Sequence, residues 1–298
     1  MDDGITADSA ATPHGGIHRH PDGPSVEILQ ASSGWGFLDL GKAWRYRELA
    51  WVLAARDIKV RYKQAVIGAG WAILQPLALI IILPILFRAL GRPPISDEAT
   101  YPYAISLACG LLPWQLFANG LRGASESLVA HQDMIKKIYF PRILLPTAPI
   151  ITALVDFLVA LSVLVLLMVY YQIVPGWGFL ALPCFALMAA LCAFSIGLWF
   201  SSLNAVYRDL RHAVPFLIQV GFFVTPVFYE AAKVPARWQP LYVLNPMVGI
   251  VEGFRWSLLG TGQPPWMMIG FSCLSIAVLL VGGAFCFRRL ERVFVDWI

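Results

Sequence analysis

Gly36 to Ala43 reads GFLDLGKA and so matches GxxxxGK, the opening of a phosphate-binding loop. The match stops short of the chemistry. Ala43 stands where a hydroxyl would hold magnesium, no hydrophobic strand leads into the glycines, and no acidic partner strand exists. If this chain works with ATP, another polypeptide binds it. His14, His18 and His20 could ligate a metal, but they lack carboxylate or cysteine partners at ligand spacing, and no metal is expected. Cys109, Cys184, Cys192, Cys273 and Cys286 all lie inside apolar runs, outside any CxxC pattern, and read as packing residues. His131 and His212 fall at loop edges, and the serines have no neighbouring base. No catalytic group is expected.

One ionisable residue remains at depth. Asp156 interrupts an otherwise uncharged run from Ile143 to Val174. A carboxylate in hydrocarbon is costly and turns toward protein or water. It reads as a helix-packing hydrogen-bond partner, the favoured reading, or as a polar group lining a passage. With no second Asp, Glu or His at depth, it makes a poor proton relay.

The elements that must position these residues are apolar helices. The chain is 58% hydrophobic and 13% charged over 298 residues, with mean hydropathy +0.68, which belongs to polytopic membrane proteins. Val66 to Phe87 carries no charge, and a backbone in lipid must satisfy its own hydrogen bonds, so such runs read as spanning helices. The spans fall at about 66–87, 101–121, 143–174, 178–207, 213–229 and 264–287. The expected fold is therefore an all-α membrane domain over 44–298 with six transmembrane helices, after a disordered cytoplasmic tail over 1–43. Of the 22 Lys and Arg, only Arg88, Arg92, Lys233, Arg237 and Arg255 fall on the side opposite the termini. The positive-inside rule then puts both ends in the cytoplasm.

Three segments between or before the spans carry further signals. Trp44 to Lys63 reads as an amphipathic helix with Trp51, Ala55, Ile58 and Tyr62 on one stripe and Arg56, Lys59 and Lys63 on another, suited to an anionic leaflet. Ser125 to Ile138 reads as a helix in the loop after the second span. There Ile135, Lys136, Lys137, Ile138 and Tyr139 make a sticky basic surface for a partner. Between the fifth and sixth spans, Asn245 and Pro246 form an N-cap and first-turn pair for a short helix that lies at or re-enters the outer face and ends at Gly260. Aromatic residues, among them Trp71, Trp199, Phe228 and Tyr229, read as interfacial belts, or as rings stacking on sugar faces if they line a passage.

Six fragments in one order carry a resemblance: ARDIKVRYKQAVIGAGWAILQPL from Ala55, KKIYFPRILLP from Lys136, YRDLRHAVPF from Tyr207, TPVFYE from Thr225, LNPMVGIVEGFRWSLLG from Leu244 and FRRLERVFVDWI from Phe287. The chain resembles the membrane subunit of ABC exporters that move lipid-linked polysaccharides of the O-antigen, capsule and teichoic acid type. The resemblance covers Leu49 to Ile298. It implies a homodimer enclosing a channel in a bacterial inner membrane, driven by two copies of a separate ATPase that binds ATP and Mg, with a glycan on undecaprenyl diphosphate as cargo. It implies that Ile135 to Tyr139 form the coupling helix, with Arg208 and Asp209 as a second ATPase contact. Arg56, Lys59, Arg61 and Lys63 become candidates to attract the diphosphate, with lipid anchoring as the alternative. Trp71, Asp156, Trp199, Phe228 and Tyr229 become channel-lining candidates. The segment Pro235 to Gly260, with Asn245, Pro246, Glu252 and Arg255, would gate the outer mouth.

Overall fold

The computed structural model describes residues 44–63, 68–90, 102–138, 140–207, 209–260 and 263–297. The tail over 1–43, with its GxxxxGK match and its histidines, lies outside the described residues, as do Tyr139, Arg208 and the side chain of Trp71. Among the described residues every regular element is a helix: α1 Arg47–Lys63, α2 Gly68–Ala89, α3 Tyr103–Ala130, α4 Gln132–Lys137, α5 Leu144–Tyr170, α6 Leu182–Val206, α7 Leu210–Val224, α8 Gln239–Val243, α9 Pro246–Leu259 and α10 Trp266–Trp297.

Four of these are long and apolar enough to cross a membrane: α3, α5, α6 with the short turn from Trp177 before it, and α10. The expected first and fifth spans correspond to shorter apolar helices, Leu77–Ala89 within α2 and α7. At 1.5 Å per residue α7 is only about 22 Å long, less than the roughly 30 Å of a hydrocarbon core.

Helix α3 is the hub, packed against α5, α6 and α9 and buried along most of its length. Lipid tails are as apolar as leucine, so spans associate through close packing and not by escape from water. The sequence provides that closeness with small residues. A Cβ at Gly123 would stand 2.6 Å from Pro149, and one at Gly197 would stand 2.7 Å from the Cβ of Ala124. Larger side chains point outward instead: Leu158, Val165, Leu166 and Val169 on α5, and Leu274, Val278, Val281 and Phe285 on α10, are exposed at helical spacing, as a lipid-facing stripe requires.

One expectation about boundaries changes. The second span was expected to end at Leu121, with a separate helix from Ser125; α3 instead runs on to Ala130. Gly123 is held by its close packing on Pro149, Ser125 and Ser127 bond back to carbonyls three residues earlier, and Leu128 is fully buried, so the helix runs on. Trp51, on the stripe expected to meet the leaflet, is 60% exposed, and α1 turns a different face to its neighbours. Ala50, Leu53 and Ala54 are buried, and they pack with Leu128, Phe140, Leu144, Leu145, Ala148, Leu198 and Phe287 in a small core at one end of the bundle, called the near end below.

Candidate functional site

The packed face of α1 continues from Ala50, Leu53 and Ala54 through Asp57 to Arg61, a run of three- and four-residue steps that lie on one side of a helix. Arg61 and Tyr62 therefore reach α5. The Arg61 guanidinium donates to Asp156 and pairs with it, and the Tyr62 hydroxyl donates to the other carboxylate oxygen at 2.9 Å. Asp156 is 7% exposed, and both of its side-chain partners come from α1. Burial, and then this hydrogen bond, pushes the Tyr62 phenol up from 10.0 to about 12, so it stays a donor at every physiological pH.

Five residues earlier, Arg56 pairs with its neighbour Asp57 at 2.9 Å and contacts His131 Nε2 at 2.6 Å. The other ring nitrogen, Nδ1, lies 2.9 Å from the Ser127 carbonyl. An arginine has no lone pair to offer, so Nε2 accepts, and Nδ1–H donates to the carbonyl. His131 sits at the corner where α3 ends and α4 begins. Between these two contacts lies an open cleft of about 530 Å³, walled by Arg56 and Arg61 of α1, Asn119 and Glu126 of α3, and Thr152 of α5.

The four basic candidates on α1 thus fall into two kinds. Arg56 and Arg61 are engaged, whereas the side chains of Lys59 and Lys63 are exposed and make no ion pair or hydrogen bond with described residues. The corner helix α4 divides in the same way. Met134 and Ile135 pack back onto the near-end core, while Lys136 and Lys137 are exposed and Ile138 is 60% exposed. Asp209 is exposed just before α7 and caps no backbone amide there.

At the far end the structure gathers all four outer-mouth candidates. Asn245 Oδ1 accepts from the Met247 amide at 3.0 Å, Pro246 opens α9, and the Asn245 amide donates to Thr225 Oγ1 at 3.0 Å. Glu252 Oε1 accepts from the Ala231 amide at 2.9 Å and from Arg255 Nη1 at 2.7 Å. Arg255 is 4% exposed and also donates to the carbonyls of Pro226 and Val227, at 2.8 and 3.3 Å. One guanidinium thereby fastens α9 to the segment that leaves α7. Helix α9 does not skim the surface; Met247, Ile250, Val251, Phe254 and Leu258 are all buried. Gly249 and Gly253 let it enter, since a Cβ at either would stand 2.3 Å from Met268 O or from the Phe185 ring.

The aromatic candidates part company. Phe228 and Tyr229 belong to a chain of rings from Trp114 through Phe222, with centroids 5.0 to 6.0 Å apart, which continues to Tyr242 at 6.4 Å. Tyr242 donates to the Tyr229 hydroxyl at 3.1 Å, and burial followed by that bond raises its phenol pKa. Trp199 lies between α6 and α10, with its indole N–H donating to the Leu279 carbonyl at 3.0 Å. Its ring closes on Gly282 and Gly283.

Sequence placed Tyr62 on a leaflet-facing stripe and His131 at a loop edge, and it gave no signal for Asn119 or Glu126. The step pattern from Ala50 to Arg61 is the signal that would have turned α1 toward Asp156; nothing comparable marks His131, whose partner is 75 residues away.

A family model described as ABC-2 type transporter matches residues 48–259. An O-antigen export system permease protein of Klebsiella pneumoniae, RfbA, is 28% identical over 253 residues, covering 84% of this chain and 94% of its own. A protein of the same name from Myxococcus xanthus is 28% identical over 214 residues, 71% of this chain and 80% of its own. The polysialic acid transport protein KpsM of Escherichia coli is 25% identical over 251 residues, 80% of this chain and 92% of its own.

Proposed function

The chain belongs to the ABC-2 type transporter family, and from that premise we propose that it is the membrane subunit of an ATP-driven exporter carrying O-antigen-type polysaccharide on an undecaprenyl diphosphate lipid. Two copies enclose the passage in the inner membrane, with six spans each and the near end in the cytoplasm. Two copies of a separate ATPase bind ATP and Mg. The observation that carries this reading is the likeness to O-antigen export permeases over 84% of the chain.

Three features of the geometry support it. Lys136, Lys137 and Ile138 project from a corner whose other face is anchored in the near-end core, so a push on that corner is delivered to α1, α3, α5 and α10 together. Lys59 and Lys63, exposed on α1 and without an ion pair among the described residues, could draw a diphosphate by charge-assisted hydrogen bonds. The ring chain ending at Tyr242 offers flat apolar faces for sugars at the far end. A capsule-type glycan is the second reading, favoured by the likeness to a polysialic acid transporter.

The test is reconstitution with the cognate ATPase in vesicles loaded with undecaprenyl-diphosphate-linked glycan. ATP-dependent movement of the glycan to the far side is expected. Vesicles that hydrolyse ATP while the glycan stays in place, with and without this subunit, would overturn the assignment.

A further inference from the structure

A buried carboxylate whose partners both come from one neighbouring helix is a fastener. Removing those partners leaves its charge uncompensated in a poorly solvating environment, whereas the Arg61 side chain, 52% exposed, keeps water on its own side of the pair. Asp156 is such a group, and α1 supplies both Arg61 and Tyr62 to it. The rest of α1 is in register with this contact. Ala50 lies eleven residues before Arg61, and Leu145, in the same small core as Ala50, lies eleven residues before Asp156. Equal rise along the two helices, about 16 Å each, means that α1 runs alongside α5 and touches it at both ends. A second tether, Arg56 to His131, ties the middle of α1 to the corner that carries α4.

We propose that Asp156 is a positioning residue that holds α1 against α5, so that α1, the α3–α4 corner and α5 move as one body during transport. The inference rests on the exporter reading and adds to it how the ATPase stroke reaches the entrance. A displacement of α4 carries α1 with it. The cleft between α1, α3 and α5 therefore keeps its width, and Lys59 and Lys63 are delivered to the cargo in a fixed geometry. In this arrangement Arg61 serves Asp156 and not the diphosphate. The titratable and charged groups around the fastener are Arg61 and Tyr62 of α1, with Arg56, Asp57, Glu126 and His131 along the cleft.

The experiment uses the whole transporter with its ATPase in vesicles. Spin labels on the exposed positions Val52 and Leu158 report the distance from α1 to α5, and glycan moved per ATP hydrolysed reports coupling. Asp156→Ala is expected to broaden the distance distribution and to lower glycan per ATP by roughly tenfold while ATP hydrolysis continues. The exchange Arg61→Asp with Asp156→Arg is expected to restore both. Should Asp156→Ala fail to accumulate, Asp156→Asn keeps the volume and an acceptor for Tyr62, and an intermediate loss of coupling is expected. A narrow distance and an unchanged ratio in Asp156→Ala or Asp156→Asn would overturn the proposal. If the unaltered transporter moves no glycan, the exporter reading falls instead, and the distance measurement still decides the tether.

Discussion

Arg255 offers the sharpest test of how the far end is held. Replacing it with alanine removes a guanidinium that is 4% exposed and satisfies three acceptors, Glu252 Oε1 and the carbonyls of Pro226 and Val227. Glu252 keeps only the Ala231 amide, with its charge still largely buried. Breaking a buried ion pair from one side costs about 3–5 kcal/mol, and orphaned carbonyls add about 1–3 kcal/mol each unless water reaches them. These terms overlap, so a loss of about 4 kcal/mol is expected for Arg255→Ala. Denaturant unfolding of the purified subunit, followed by tryptophan fluorescence, reads it. Because the damage is an unpaired charge, Glu252→Gln in the same chain should recover about half of the loss, whereas Glu252→Gln alone should cost about 1 kcal/mol. A loss below about 1 kcal/mol for Arg255→Ala, or no recovery in the double variant, would refute the argument that this pair fastens α9 to the segment after α7.

Other outcomes follow from the same geometry. Gly253→Ala should destabilise by about 1–3 kcal/mol, because its Cβ meets the Phe185 ring at 2.3 Å, and Phe185→Leu should relieve it; thermal unfolding of the pair decides. Ile138→Asp should leave the subunit folded and inserted, since Ile138 is exposed, yet abolish co-purification of the ATPase. Lys59→Gln with Lys63→Gln should lower export of diphosphate-linked glycan at normal expression, and raising the salt concentration should shrink the difference. The Tyr62 phenol is raised from 10.0 to about 12, so the stability it contributes is fully present below pH 10 and is lost as pH rises through about 12. Tyr62→Phe should remove that alkaline slope and leave the neutral range flat.

The chain announced its helices more clearly than its joints. The apolar runs 143–174 and 178–207 lie within four residues of α5 and α6, and Asn245 with Pro246 marks the start of α9, because capping and hydrophobic length are local properties; α10 runs ten residues past its apolar run, which ends at Phe287. The charge of Arg122 ends the apolar run at Leu121 but not α3, because burial of Leu128 outweighs it. The packing face of α1 was not legible, because Ala50, Leu53 and Ala54 bury against partners that lie more than 70 residues away in sequence. Asp156 was readable as a packing group in need of a partner; which helix supplied it was not, because Arg61 lies 95 residues away and no spacing rule reaches that far.

The length of α10 has a practical side. Its 32 residues measure about 48 Å, against roughly 30 Å of hydrocarbon, so some 18 Å of rod extends beyond a perpendicular crossing. That overhang is not idle, for Arg142, at the turn leading into α5, donates to the Glu291 carbonyl at 2.9 Å. A reporter or affinity handle grown from this rod will therefore load the turn that leads into α5.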